Sequence, residues 1–232
     1  EIIASPMSCL ASNQPLALLG AQIKWVDIDP NIGSLDPDEV KKNISSNTKA
    51  ILLYHWGGYP GHIDEIVAIG QQFDIPVVED AIESFGSEYK NKKVGNHGAD
   101  FTLFSFQPVR LPTTIDGGGI VIRNSTLLDK ALLMRDYGIN RSNFRDSLGE
   151  INPECDISLP GMGATLNELG AYIGYTAMDY VPDLLKKQRN NAKVNKSVLD
   201  VYNEILHLSP KDALPNYWIY SFLTPKRDLL LK

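Results

Sequence analysis

Cysteine is scarce: Cys9 and Cys155 are the two in 232 residues. Their separation matches no metal-binding or dithiol spacing, which excludes a disulfide framework and points to a reducing, cytosolic compartment. Long apolar runs are missing as well. Stretches such as 50–54 fall far short of the roughly 20 residues that cross a bilayer, and no basic-then-apolar leader opens the chain. Basic charge is not in excess. The 22 Lys and Arg stand against 28 Asp and Glu, a formal charge of −6 with a pI of about 5.2. Such a balance lacks the basic face that a phosphate backbone demands, so neither nucleic acid nor membrane is expected as a partner. Histidine is limited to four scattered residues with no HExxH pair. His55, His62 and Asp64 could be imagined around zinc, but a satisfied or exposed side chain is the better reading of each, and no metal is expected.

What is present belongs to a folded chain. Hydrophobic residues make up 43% and charged residues 22%, a composition able to bury a core and far from that of a disordered polymer. Residues 1–4 read as a strand already under way and 227–232 end without a cap, so the sequence is expected to be a fragment lacking both ends.

Short apolar runs alternate with helical patterns. Strands are expected at 1–4, 23–26, 49–54 and 75–78, the last ending in Glu79-Asp80. Between them lie helices at 9–19, closed by Gly20, at a start marked by Asp36-Pro37-Asp38-Glu39, and along a stripe of Ile63, Ile66, Val67 and Gly70. Asp36 with Glu39 has the spacing of a capping box. Further on, 87–95 reads as a hairpin turning at Asn91-Lys92. Strands follow at 101–106 and 119–122, helices at 127–137 and 166–178, a long helix over 180–206 and a lone strand over 217–223. Alternation of this kind implies βαβ units and a mostly parallel sheet.

In open α/β sheets ligands sit beyond the carboxyl ends of the strands. There the sequence offers His55-Trp56-Gly57-Gly58, Glu79-Asp80-Ala81-Ile82-Glu83, Ser105-Phe106-Gln107-Pro108-Val109-Arg110 and Asp116-Gly117-Gly118-Gly119. Aspartate, serine and arginine at strand ends suit an anionic ligand that carries a ring cation. A dinucleotide site is disfavoured, because no Gly-x-Gly-x-x-Gly follows the first strand and Gly161-Met162-Gly163 comes too late. Cys155, alone in a polar loop, is read as incidental.

Taken in order, Val26-Asp27-Ile28-Asp29-Pro30, His55-Trp56-Gly57-Gly58-Tyr59-Pro60, Val78-Glu79-Asp80-Ala81-Ile82-Glu83-Ser84, Phe104-Ser105-Phe106-Gln107, Asp116-Gly117-Gly118 and Arg135-Asp136-Tyr137-Gly138 resemble the DegT/DnrJ/EryC1/StrS family. Its members are pyridoxal-phosphate (PLP) dependent sugar aminotransferases of the aspartate-aminotransferase fold, type I. The resemblance implies a three-layer α/β/α fold with a mostly parallel mixed sheet. It implies a PLP-binding large domain over 1–178, missing its N-terminal part. Residues 179–232 would be a linking helix and the truncated start of a small C-terminal α+β domain. It further implies a cytoplasmic homodimer that aminates a nucleotide-linked keto-sugar, with an amino acid, glutamate, as donor, in amino-sugar or polysaccharide biosynthesis.

The resemblance also assigns roles. Asp80 matches the carboxylate that pairs with the pyridinium nitrogen and keeps the ring an electron sink; the plainer reading is a helix cap after the strand. Glu83 matches the Gln or Glu beside the ring hydroxyl, or else is an exposed carboxylate. Ser105 matches a hydroxyl that binds the cofactor phosphate. Asn167 matches an Asn that reaches that phosphate across the dimer, or else is an ordinary helix cap. Two positions depart from the pattern. The ring-stacking aromatic falls at or near Cys9. The Schiff-base lysine, five residues after the phosphate serine, is Arg110. A guanidinium stays protonated and cannot readily form the covalent link or shuttle a proton, so any PLP is expected to bind non-covalently and transamination is expected to fail. Three other readings stay open: a pseudoenzyme or scaffold binding PLP or a nucleotide sugar through Arg110, a PLP-dependent sugar dehydratase-like enzyme, and a plain nucleotide-binding α/β domain.

Overall fold

The computed structural model describes residues 1–203, 205–208 and 211–231. Its centre is a six-stranded sheet. β1 (Ile2–Ala4) leads through α1 (Leu10–Leu18) to β2 (Ile23–Trp25). A small ribbon, β3 (Ile28–Asp29) and β4 (Ser34–Leu35), precedes α2 (Pro37–Asn43), and then come β5 (Ala50–Tyr54), α3 (Ile63–Phe73) and β6 (Val77–Asp80). The hairpin β7 (Glu88–Tyr89) and β8 (Lys92–Lys93) separates these from β9 (Phe101–Ser105) and β10 (Gly118–Ile122). The sheet order is β10-β9-β6-β5-β1-β2, with β10 antiparallel to β9 and the other pairs parallel. This is the expected α/β architecture.

Strand alternation divides the sheet's side chains. Ile3, Ile51, Leu53 and Val77 belong to the core cluster with Ile63, Ile66 and Val67 of α3. Ile2, Leu52, Val78 and Asp80 line a cavity together with residues of α1. Because the period of a strand is two, Glu79 falls on the core face and Asp80 on the cavity face.

Several local expectations change. Asp36 caps α2 by accepting from the Asp38 and Glu39 backbone N–H groups, but the reciprocal half of a capping box is absent. The Asp36 N–H donates to the Asp27 carbonyl, and Glu39 instead pairs with Lys42 at 2.6 Å. The hairpin turns one residue earlier than expected, at Lys90-Asn91, whose φ values of 46° and 63° suit a two-residue turn with both central residues left-handed. After α4 (Leu128–Arg135) and α5 (Glu168–Met178), the long helix α6 (Val181–Leu199) stops short of residue 206. Leu206–His207 forms β11, which pairs with β13 (Phe222–Leu223), so the late strand is shorter than expected and not alone. β12 (Ala213–Leu214) extends the β7–β8 hairpin into a three-stranded sheet, and α7 (Arg227–Leu230) follows β13. Among the described residues no helix is long and apolar enough to cross a membrane.

Candidate functional site

A cavity of about 290 Å³ opens between α1 and the sheet face, reaching from Ile2 and Ala50 at the starts of β1 and β5 to Asp80 and Ser105 at the carboxyl ends of β6 and β9. Its polar lining is Ser12, Asp80, Ser105, Gln107, Arg110 and Asp116, with Cys9 and Gly117 beside them. Four of the residues singled out from sequence, Cys9, Asp80, Ser105 and Arg110, therefore meet at one place.

Asp80 ends β6 opposite Tyr54 of β5 and is 1% exposed. No helix follows it: Ala81 to Ser87 forms turns. Its Oδ1 accepts from the Ile82 N–H at 3.2 Å. Burial pushes its carboxyl above the usual range, outweighing the Ile82 N–H, which pulls the other way. A carboxylate so poorly compensated favours a cationic partner in the cavity.

Glu79, one residue earlier, has the opposite fate. It is fully buried, yet its Oε1 accepts from His55 Nε2 at 2.9 Å and its Oε2 from the Thr102 hydroxyl at 2.8 Å. The Gly61 N–H donates to His55 Nδ1 at 3.0 Å, which fixes the imidazole hydrogen on Nε2. Burial alone would raise Glu79, but the bonds from His55 and Thr102 win and hold its carboxyl below the usual range. The same His55 closes the 55–61 loop on itself, and its backbone N–H donates to the Asp80 carbonyl. His62 pairs with Asp29 and Asp64 with Lys90. Among the described residues no cluster of three or more His, Cys, Asp or Glu could hold a metal ion.

That loop delivers a donor to Glu83. The Gly57 N–H reaches Glu83 Oε2 at 2.8 Å, a contact that needs the left-handed φ of 66° at Gly57. Glu83 is buried, so it is not an exposed carboxylate. Tyr54 stands beside it, and burial first, then this carboxylate, push the phenol far above its ordinary range. The third neighbour is Arg110, whose NH1 lies 3.4 Å from Glu83 Oε1, with both side chains 7% exposed. Arg110 is carried by the turn after β9, where its N–H donates to the Gln107 carbonyl. Its guanidinium lies over the Trp218 ring at 4.3 Å, and its buried Nε has no hydrogen-bond partner.

Ser105 ends β9, and the Gln107 N–H approaches its hydroxyl at 3.5 Å. Cys9 precedes α1 without a side-chain cap and adjoins the cavity, where the resemblance had placed an aromatic ring. Asn167 does not join the group. Its side chain caps α5 by accepting from the Gly170 N–H at 2.8 Å, and it borders a second hollow that shares Asp116 and Gly117 with the first. Sequence reasoning missed Tyr54, Ser12 and Trp218. Tyr54 had a usable signal, its place at the end of a buried strand. Trp218 had none, since it is brought to the Arg110 loop from the far C-terminal part, its Nε1–H donating to the Val109 carbonyl at 2.9 Å.

Known proteins share the sequence pattern and the fold. The model of the DegT/DnrJ/EryC1/StrS aminotransferase family matches residues 1–231. Among curated proteins, an uncharacterised protein of Methanocaldococcus jannaschii is 31% identical over 88% of the chain and 51% of its own length. GDP-perosamine synthase of Escherichia coli O157:H7 is 28% identical over 97% of the chain and 58% of its own. The chain thus spans little more than half of these relatives. Among solved structures, the sugar aminotransferase CalS13 of Micromonospora echinospora superposes with a TM-score of 0.90 at 28% identity, over 99% of the chain and 62% of that protein. PseC of Helicobacter pylori, an aminotransferase of pseudoaminic acid biosynthesis, gives 0.88 at 25% identity, over 99% and 59%. The shared sheet is that of the type I PLP-enzyme fold, and the chain belongs to the DegT/DnrJ/EryC1/StrS aminotransferase family.

Proposed function

We propose that this chain forms the core of a cytoplasmic, homodimeric family member that binds PLP without a covalent link. Its substrates are a nucleotide-linked keto-sugar and an amino acid, glutamate, and with Arg110 in place it has little or no aminotransferase turnover. The observation that carries this reading is the inward setting of Arg110. At the position where the family resemblance implies lysine, the side chain lines the cavity with Asp80 and Ser105 instead of pointing to solvent.

The polar groups of the cavity fit the cofactor. Asp80, buried and pushed up, is suited to a protonated ring nitrogen. The Ser105 hydroxyl at the end of β9 can donate to a phosphate oxygen, and the unpartnered Arg110 Nε–H can donate to an anionic or carbonyl oxygen. PLP supplies an electron sink when bound. What this chain withholds is an amine at residue 110 that can lose its proton and move one between atoms. A guanidinium keeps its charge and is held by Glu83 and Trp218.

The relatives support the substrate class, and the outward α5 face supports the dimer. Leu169, Tyr172 and Tyr175 are 65%, 66% and 80% exposed, an apolar stripe suited to an isologous contact. We place the large domain over 1–178 and the link to a small domain over 179–232. The test is to assay the intact protein with glutamate and candidate nucleotide keto-sugars, with Arg110 in place and as Arg110→Lys. Turnover is expected only with lysine; robust turnover by the Arg110 protein refutes the reading.

A further inference from the structure

We propose that Trp218 is a positioning residue, one that holds the Arg110 guanidinium in the cavity wall without itself meeting a ligand. Trp218 is not among the cavity-lining residues, whereas Arg110 is. The indole is anchored without the Arg110 side chain. Its Nε1–H donates to the Val109 carbonyl at 2.9 Å, and its backbone N–H donates to Asn216 Oδ1 at 2.8 Å. Asn216 is in turn buried and rooted in the turns after β6, donating to the Glu83 and Phe85 carbonyls at 2.8 and 3.1 Å. Beyond Trp218, the Ile219 N–H donates to the Gly57 carbonyl and the Ser221 N–H to the Tyr59 hydroxyl. Residues 216–221 thus form a strap whose ring meets Arg110 from one side while Glu83 meets it from another.

The Glu83 contact alone is a weak holder. At 3.4 Å it lies beyond the usual length of a charge-assisted hydrogen bond, and Glu83 already accepts from Gly57. The ring at 4.3 Å is within cation–π range, and the Arg110 side chain that meets it is largely removed from water, where such contacts are stronger. The indole therefore sets where the charge of residue 110 stands, and through it how firmly an anionic or carbonyl oxygen in the cavity is gripped. A lysine at 110 carries its charge on a compact, strongly hydrated ammonium instead of a broad guanidinium, which weakens this dependence.

Two measurements on the intact protein test this. The first needs no ligand: modification of Arg110 by phenylglyoxal, followed by mass spectrometry and normalised to the exposed Arg141. Trp218→Leu is expected to speed it about tenfold and Trp218→Phe to restore protection. An unchanged rate in a folded Trp218→Leu protein overturns the proposal. The second rests on the function proposed above and reads PLP affinity by absorbance titration in a double-mutant cycle with Arg110→Lys. Trp218→Leu should weaken PLP about tenfold with Arg110 present, and less than about twofold with lysine. Equal losses in both backgrounds mean a scaffold role and overturn it. If PLP binds neither parent protein, the proposed function fails while the phenylglyoxal result still decides the role of Trp218.

Discussion

Replacing Asp80 by asparagine separates a functional carboxylate from a structural one, because the two roles predict opposite signs. Asp80 is 1% exposed and receives one backbone N–H, from Ile82. The amide oxygen of the Asp80→Asn side chain can keep that bond while the buried charge disappears. Burial raises the folded-state pKa of Asp80 above its unfolded value of about 3.8. Relative to a neutral side chain, its contribution to stability is fully present below that value and is lost as pH rises through the raised folded one. At neutral pH the carboxylate therefore costs stability in the empty protein. Asp80→Asn is expected to add about 1 kcal/mol, which for a chain of this size raises Tm by roughly 2–4 °C. The gain should shrink as pH falls through the folded pKa of Asp80, because the parent protein then becomes neutral at this position too. For cofactor binding the sign reverses. Removing one partner of a buried charge pair costs about 2–5 kcal/mol, so PLP affinity should fall by at least about thirtyfold. Thermal melts from mildly acidic to neutral pH, with and without added PLP, read both effects. A lower Tm for the ligand-free variant at neutral pH, or an unchanged PLP affinity, refutes the argument.

Other consequences follow from the same geometry. Thr102→Val removes one donor from the fully buried Glu79 and should cost about 1.5–3 kcal/mol in urea unfolding at neutral pH. Because the lowered pKa of Glu79 contributes stability that is present above about 4.5 and lost as pH falls through the folded value, the gap between variant and parent should close in acid. A constant gap would contradict this. Gly58→Ala combines a φ of +90° with a Cβ placed against Asn216 Oδ1, and should lose about 2–3 kcal/mol by disturbing the root of the strap; an unchanged unfolding midpoint would contradict that. Tyr172→Glu puts a charge into the outward stripe of α5 and should shift the intact protein from dimer to monomer in sedimentation, whereas an unaltered dimer would move the contact elsewhere.

How much of this was legible depended on the range of each interaction. Apolar runs without polar alternation located β5 and β6, since strands buried on both faces must read that way. Asp36-Pro37 announced the start of α2, because its cap bonds span two and three residues. The family pattern brought Asp80, Ser105, Arg110 and Cys9 to notice, and all four line one cavity. At the hairpin the linear pattern was off by one residue. Either side of Asn91 can form the hairpin turn, and it was the pairing of Glu88 with Lys93 and Tyr89 with Lys92 that put Lys90-Asn91 at its tip. Asn167 has the residue type of both a phosphate ligand and a helix cap; its Oδ1 accepts from the Gly170 N–H, a bond that takes its amide oxygen and not its NH2 donors. The setting of Arg110 lay beyond any local reading. Its charge is placed by Glu83, 27 residues before it, and by an indole delivered on the strap 216–221. Those partners meet only when the sheet, the 55–61 loop and the C-terminal segment close together. The residue type at 110 identified a fixed positive charge, but the burial and ring contact that turn the guanidinium into part of the cavity wall arise from long-range packing.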